Sequence, residues 1–356
     1  MMPWLFESME KEFTLRAAMA GVLAFAASLL LGPRVIAWLR ARKMGEQTEK
    51  QDSRQLDQMM KDKNGTPTMG GVFIVAAILV SVAIFGNFSN PVLWVLLGVT
   101  VGLASVGAVD DWLKLSGRCK TGMRMRTKFL LQVVIGLVAG MGLHAALART
   151  DPVPATRLYI PFDGSIDLGA FYPVLVMLVI VATTNAVNIT DGLDGLAGGC
   201  LGISTFAYAV IAYIVGRVDF SRYLELQYVS SSAEITVCCT AMLGATVGFL
   251  WFNTHPAQVF MGDSGSLPLG GALGLVACAT KQELLLLLVG GVFVIEAGSS
   301  LLQIASFKLT GRRVFRIAPL HHHFQFCGLP ETKITLRFWI VAAVMAVASL
   351  SLLKLR

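Results

Sequence analysis

Apolar runs long enough to cross a bilayer recur along the whole 356-residue chain, and few folds tolerate them. They lie near 14–39, 70–87, 91–109, 129–148, 170–187, 192–216, 234–252, 266–281, 284–306 and 335–354. At roughly 17–25 residues per crossing, they predict an all-α integral membrane protein, a polytopic bundle of about ten helices. Strands of a membrane barrel alternate apolar and polar residues. The run Phe73-Ile74-Val75-Ala76-Ala77-Ile78-Leu79-Val80 does not alternate, so helices are expected. Charged residues make up only 14% of the chain, against about 25% in a soluble domain. The missing charge follows if much of the surface faces lipid.

Glu7, Glu10, Lys11 and Glu12 precede a first apolar run too long for a secretory signal, so a cleaved leader is not expected. The cysteines, Cys119, Cys200, Cys238, Cys239, Cys278 and Cys327, show no metal-ligand spacing. They read as small apolar fillers. No Pro- or Ser-rich linker and no visible duplication divides the chain, so residues 1–356 are taken as one transmembrane domain.

The distribution of basic residues sets an orientation. Loop one carries Arg40, Arg42, Lys43, Lys50, Arg54, Lys61 and Lys63; loop three carries Lys114, Arg118, Lys120, Arg124, Arg126 and Lys128. Loop nine carries Lys308, Arg312, Arg313, Arg316, Lys333 and Arg337, whereas the even loops hold at most two basic residues each. The positive-inside rule then places the odd loops in the cytoplasm and both termini outside. These clusters are juxtamembrane and lack interleaved aromatics, which argues against a nucleic-acid surface.

The same odd loops collect polar residues that a connector does not need. They run near 40–69, 110–128, 185–195, 253–266 and 307–337. Asp110 and Asp111 end the third apolar run, Asp191 and Asp194 lie in loop five, Asp263 in loop seven, and His321, His322 and His323 in loop nine. Loops five and seven contain no Lys or Arg, so their acids lack a local counter-ion. Carboxylates at a membrane boundary point to function, and clustered hard oxygens suit Mg²⁺. The structural alternative is that Thr190 or Asp191 caps the following helix. Three adjacent histidines project in different directions and make a poor zinc site, which favours diphosphate binding or the orientation of a carboxylate. His144 and His255 are isolated and receive no role.

The segments GTPTMGG (65–71), DD (110–111), NAVNITDGLDGLA (185–197), FNTHPAQVFMGDSGS (252–266) and APLHHHF (318–324) resemble the polyprenyl-phosphate N-acetylhexosamine-1-phosphate transferases. PLHHHF after SFKLTGRR (306–313) is similar to their phospho-N-acetylmuramoyl-pentapeptide branch. The resemblance implies attack by undecaprenyl phosphate on UDP-N-acetylmuramoyl-pentapeptide, with Mg²⁺ required, at the cytoplasmic face of the bacterial inner membrane. It implies that Asp263 is the principal Mg²⁺ ligand, Asp110 the base that deprotonates or positions the lipid phosphate, and Asp111 their support. It places Asn188, Asp191, Asp194, Asn253 and Phe260 on the uridine side. Lys63, Thr68, Lys114, Lys128 and His322 would handle phosphates or ribose, with His321 and His323 beside them.

The expected partners are the UDP-linked sugar-peptide, the polyprenyl phosphate and membrane lipids, with a homodimer left open and no nucleic acid. Two other readings fit part of the pattern. A sister transferase would use another UDP-sugar, and an ion-coupled transporter would carry acids in mid-helix, where Glu296 alone lies deep in a predicted span.

Overall fold

The computed structural model describes residues 13–42, 63, 65–116, 122–150, 155–160 and 164–354. The charged start from Glu7 to Glu12, the basic residues Lys43, Lys50, Arg54 and Lys61, and Arg118, Cys119 and Lys120 lie outside the described residues. Each of the ten apolar runs falls on a helix. The long ones are α1 (Phe13–Ala41), α3 (Pro91–Leu115), α4 (Met125–Thr150), α5 (Tyr172–Thr190), α6 (Leu196–Val215), α8 (Ser232–Asn253), α11 (Gly291–Thr310) and α13 (Glu331–Leu352). With the turn that precedes α5, these eight are long and apolar enough to cross a membrane. Two more are shorter: α2 (Gly71–Phe85) has 15 residues and α9 (Asp263–Ala279) has 17.

The short α9 is the centre of the molecule. Every residue from Asp263 to Ala279 is buried, and the helix packs chiefly against α3 and α5. A helix apolar on all sides belongs in a core. Around it, α8 packs on α1 and α6. The outer helices show the opposite pattern, with Val22, Leu30, Leu301, Leu302, Val344 and Val347 exposed. Such broad apolar surface is suited to lipid rather than water.

The remaining elements are small: α7 (Val218–Tyr223), α10 (Leu286–Val289), α12 (Leu320–Phe326) and one hairpin. The hairpin pairs β1 (Arg157–Ile160) with β2 (Gly164–Asp167), Arg157 opposite Asp167. It lies in loop four and adds the only strand pair among the described residues; four-residue strands leave too short an alternation to read from sequence.

Contacts sort the loops into two ends. Lys63, Lys114, Asn188, Asp194, Asp263 and Glu331, drawn from all five odd loops or their flanking turns, are joined by side-chain hydrogen bonds. At the far end, Asn87 donates its N–H to Glu234 at 2.8 Å, Asn90 reaches Ser231 O at 3.2 Å, and Lys281 reaches the carbonyls of Ala155 and Arg157. The partition of loops by basic residues is therefore also a partition in space.

Candidate active site

Two helix ends meet at the aspartates. Asp110 and Asp111 lie in the last turns of α3 and are buried, and Asp263 opens α9. Asp111 accepts from the backbone N–H of Asp263 at 3.2 Å and of Ser264 at 2.9 Å. A carboxylate on the free amides of a first helical turn is favourable in hydrogen bonding and in field. Asp111 thus caps α9 from another helix and fixes where Asp263 stands. Gly262 makes the turn: its φ is +70°, and a Cβ there would lie 2.6 Å from Asp111 Oδ2 and 2.9 Å from Thr68 Oγ1. Only glycine fits both demands, and Thr68 is brought to the cluster by the same contact.

The counter-ions missing from the local sequence arrive from other loops. Lys128 Nζ lies 2.5 Å and Lys114 Nζ 3.0 Å from Asp263 Oδ2. Lys114 also meets Asp110 Oδ2 at 2.6 Å, and Lys128 meets it at 3.7 Å. Asn188 donates Nδ2–H to Asp263 Oδ1 at 2.5 Å and to Ser266 Oγ at 2.8 Å. Loops five and seven supply no counter-ion of their own, as expected, and Asp194 and Asp263 are paired all the same, because sequence neighbours are not the neighbours that matter. Oxygens of Asp110, Asp111 and Asp263 lie within 4.8 Å of one another. The set fits a hard divalent cation: its donors are carboxylates, and the two ammonium groups bridging them already occupy positions that favour positive charge.

A second cluster adjoins loop five. Lys63 Nζ bridges Asp194 Oδ1 at 2.7 Å and Glu331 Oε1 at 2.5 Å. Glu331 Oε1 also accepts from Asp194 N at 2.6 Å, and His255 Nδ1 lies 2.9 Å from Asp194 Oδ2. Asn253 accepts from Gly195 N at 3.0 Å and donates to Val259 O at 2.9 Å, tying loop five to loop seven. Phe260 exchanges backbone bonds with Pro67 and Gly70, and its ring lies 5.9 Å from Lys63 Nζ. His255 lies within the FNTHPAQ segment but was given no role, Glu331 lies in none of the quoted segments, and sequence reading missed both. The helix-capping alternative for Thr190 and Asp191 fails. Asp191 closes α5 through its N–H, Thr190 Oγ donates to Ala186 O, and α6 begins only at Leu196.

The histidines sit on α12, where the His321 and His322 rings lie 4.2 Å apart between centroids but each of the three bonds a different partner. His321 meets Glu296 through Nδ1 at 2.8 Å, His322 meets Gln325 Oε1 at 2.7 Å, and His323 Nδ1 accepts from Arg316 N at 3.2 Å. Three separate partners agree with the expectation that the triplet does not gather round one ion.

Comparison with known proteins now decides the family. The phospho-N-acetylmuramoyl-pentapeptide-transferase of Solidesulfovibrio magneticus is 45% identical over 96% of this chain and 94% of its own length. That of Granulibacter bethesdensis is 47% identical over the same shares. The chain belongs to the phospho-N-acetylmuramoyl-pentapeptide-transferase family. That family's signature 1 matches residues 63–75, which contain Lys63 and Thr68. The broader glycosyl transferase family 4 model matches residues 93–281, taking in the aspartates, both bridging lysines, Asn188, Asp191, Asp194, Asn253 and Phe260. It stops short of α12, so the histidines rest on other grounds.

Proposed function

We propose that this chain transfers phospho-N-acetylmuramoyl-pentapeptide from its UDP conjugate to undecaprenyl phosphate, forming lipid I and UMP. One observation carries the reading: Asp110, Asp111, Asp263, Lys114, Lys128 and Asn188 converge where α3, α4, α5 and α9 meet. Phosphoryl transfer needs positioning and charge neutralisation more than covalent chemistry, and this cluster offers acids, cations and amide donors together. The membrane helices supply the lipid side, and the loop end of the bundle supplies access for a soluble nucleotide.

Asp263 and Asp110 would hold Mg²⁺, which when bound neutralises phosphate charge. Asp111 has both oxygens on α9 amides and acts by fixing Asp263. Asp110, whose Oδ1 accepts from Met123 N at 2.6 Å, is assigned the lipid phosphate. Lys114 and Lys128 bind the diphosphate, and Lys63, Asp191, Asp194, Asn253, Phe260, His322 and His323 bind the nucleotide side; His321, expected beside them, is fully buried and does not reach a ligand directly. The chain acts as one transmembrane unit of ten crossings, with this end of the bundle in the cytoplasm of a bacterial inner membrane.

UMP release tests the reaction, using UDP-N-acetylmuramoyl-pentapeptide, a polyprenyl phosphate and Mg²⁺. Release with this donor supports the proposal; release only with a different UDP-sugar overturns it. Orientation has its own test in a cysteine-free background. Cysteines at the exposed positions Ser89 and Arg222 should label from outside the cell, and one at Ser116 should not. Periplasmic labelling at Ser116 reverses the orientation.

A further inference from the structure

Glu296 carries no assigned role beyond its contact with His321, yet it is fully buried in α11 and spends its whole carboxylate on that one residue. Oε1 accepts from the backbone N–H of His321 at 3.2 Å, and Oε2 lies 2.8 Å from His321 Nδ1. Three residues on, Ser299 Oγ accepts from Leu320 N at 3.1 Å. Side chains of α11 therefore satisfy the first two amides of α12. On the far side of the imidazole, Nε2 is buried and makes no hydrogen bond. It faces Gly192, where a Cβ would come within 2.3 Å of it.

We propose that Glu296 is a positioning residue for the transfer reaction. It holds His321 as the Nδ1–H tautomer, and the ring in turn seats the loop at 191–194. The inference rests on the transferase reading, which puts Asp191 and Asp194 on the nucleotide side. Two observations place the proton. A buried carboxylate is stable only when its oxygens receive donors, and Nδ1–H is the donor at Oε2. Nε2 then carries a lone pair, directed at the hydrogen that stands in the Cβ position of Gly192. A C–H contact to a lone pair is weakly favourable, whereas an N–H there would press hydrogen against hydrogen. Carboxylates elsewhere fix the tautomer and orientation of functional histidines in this way.

A purely capping role makes a different forecast. In Glu296→Gln the amide oxygen still accepts from His321 N–H, so the cap survives. The amide NH₂ now faces Nδ1, and the ring proton moves to Nε2, against Gly192. The test is ¹⁵N NMR of histidine-labelled protein, with the His321 signals assigned by their loss in His321→Asn, together with steady-state kinetics. Expected are an Nδ1–H tautomer in the unmodified protein and an Nε2–H tautomer in Glu296→Gln. The KM for the UDP substrate should rise about 10- to 100-fold, the scale for losing an orienting partner, with kcat less affected and the thermal midpoint near its original value. An Nε2–H tautomer in the unmodified protein overturns the proposal, even if the variant does not fold. So does Glu296→Gln with unchanged KM. An unmodified protein that shows Nδ1–H but releases no UMP sinks the transferase reading instead, and leaves the tautomer assignment standing.

Discussion

At the end of the bundle formed by the even loops, Arg16 of α1 meets Glu234 of α8 through bonds of 3.1 and 2.5 Å. Arg16 also donates to Phe85 O at 2.9 Å. Nearby, the Lys281 ammonium lies 3.8 Å from the Tyr172 ring centroid and donates to Ala155 O, while Tyr172 donates to Glu283 at 2.7 Å. There Arg16 has a matched carboxylate and a backbone carbonyl, and Lys281 has a ring and backbone carbonyls. At the other end, one oxygen of Asp263 takes two lysines, and three carboxylates face two ammonium groups. The first arrangement is closed and holds helices together. The second is bridged and over-supplied with acid, which leaves it open to a further cation and to phosphates.

Breaking one partner at each end separates these roles. Asp263→Asn keeps size and one acceptor but removes the charge on which Lys114, Lys128 and a metal depend. Turnover should fall at least ~1000-fold, the scale of losing a main electrostatic stabiliser, and the thermal midpoint should change little. Near-normal UMP release with unaltered Mg²⁺ dependence would remove Asp263 from the site. Glu234→Ala should do the reverse. It leaves a half-buried guanidinium without its carboxylate, a loss of up to about 3 kcal/mol read as a lower midpoint in detergent, while turnover per folded molecule is unchanged. If activity falls and stability does not, the far end is more than a brace.

What could be read from sequence follows the same division. Apolar runs give the helices because length and composition decide a membrane span. Asp110, Asp111 and Asp263 were legible because acids at helix ends on one side have few structural uses. The lysines were legible as charges but not as partners, since Lys128 reaches Asp263 across 135 positions. Glu331 left no signal, looking like an acid in a helix's first turn, and His255, though inside the 252–266 segment, looked like a lone histidine before proline. Glu296 was visible only as an odd mid-helix acid, and its meaning needed the fold that brings α12 to it.

The smallest effect belongs to His322, which sits between the two kinds of region. It is half-buried on α12, and Nδ1 lies 2.7 Å from Gln325 Oε1, three residues on. That contact orients the ring without tying it to a metal group, since neither carboxylate cluster includes it. On the proposed function its role is a hydrogen bond to a phosphate oxygen or ribose hydroxyl, worth about 0.5–1.5 kcal/mol when neutral and about 1.5–3 to a charged group. His322→Gln keeps a donor on a side chain of similar reach, whereas His322→Ala keeps none. UMP release should fall roughly 10- to 100-fold in the alanine variant, as that range converts, and clearly less in the glutamine variant. A zinc-selective chelator should leave the Mg²⁺-supported reaction intact. Equal losses in both variants, with chelator-sensitive activity that zinc restores, would make the triplet a metal site and move it from the nucleotide side to the chemistry itself.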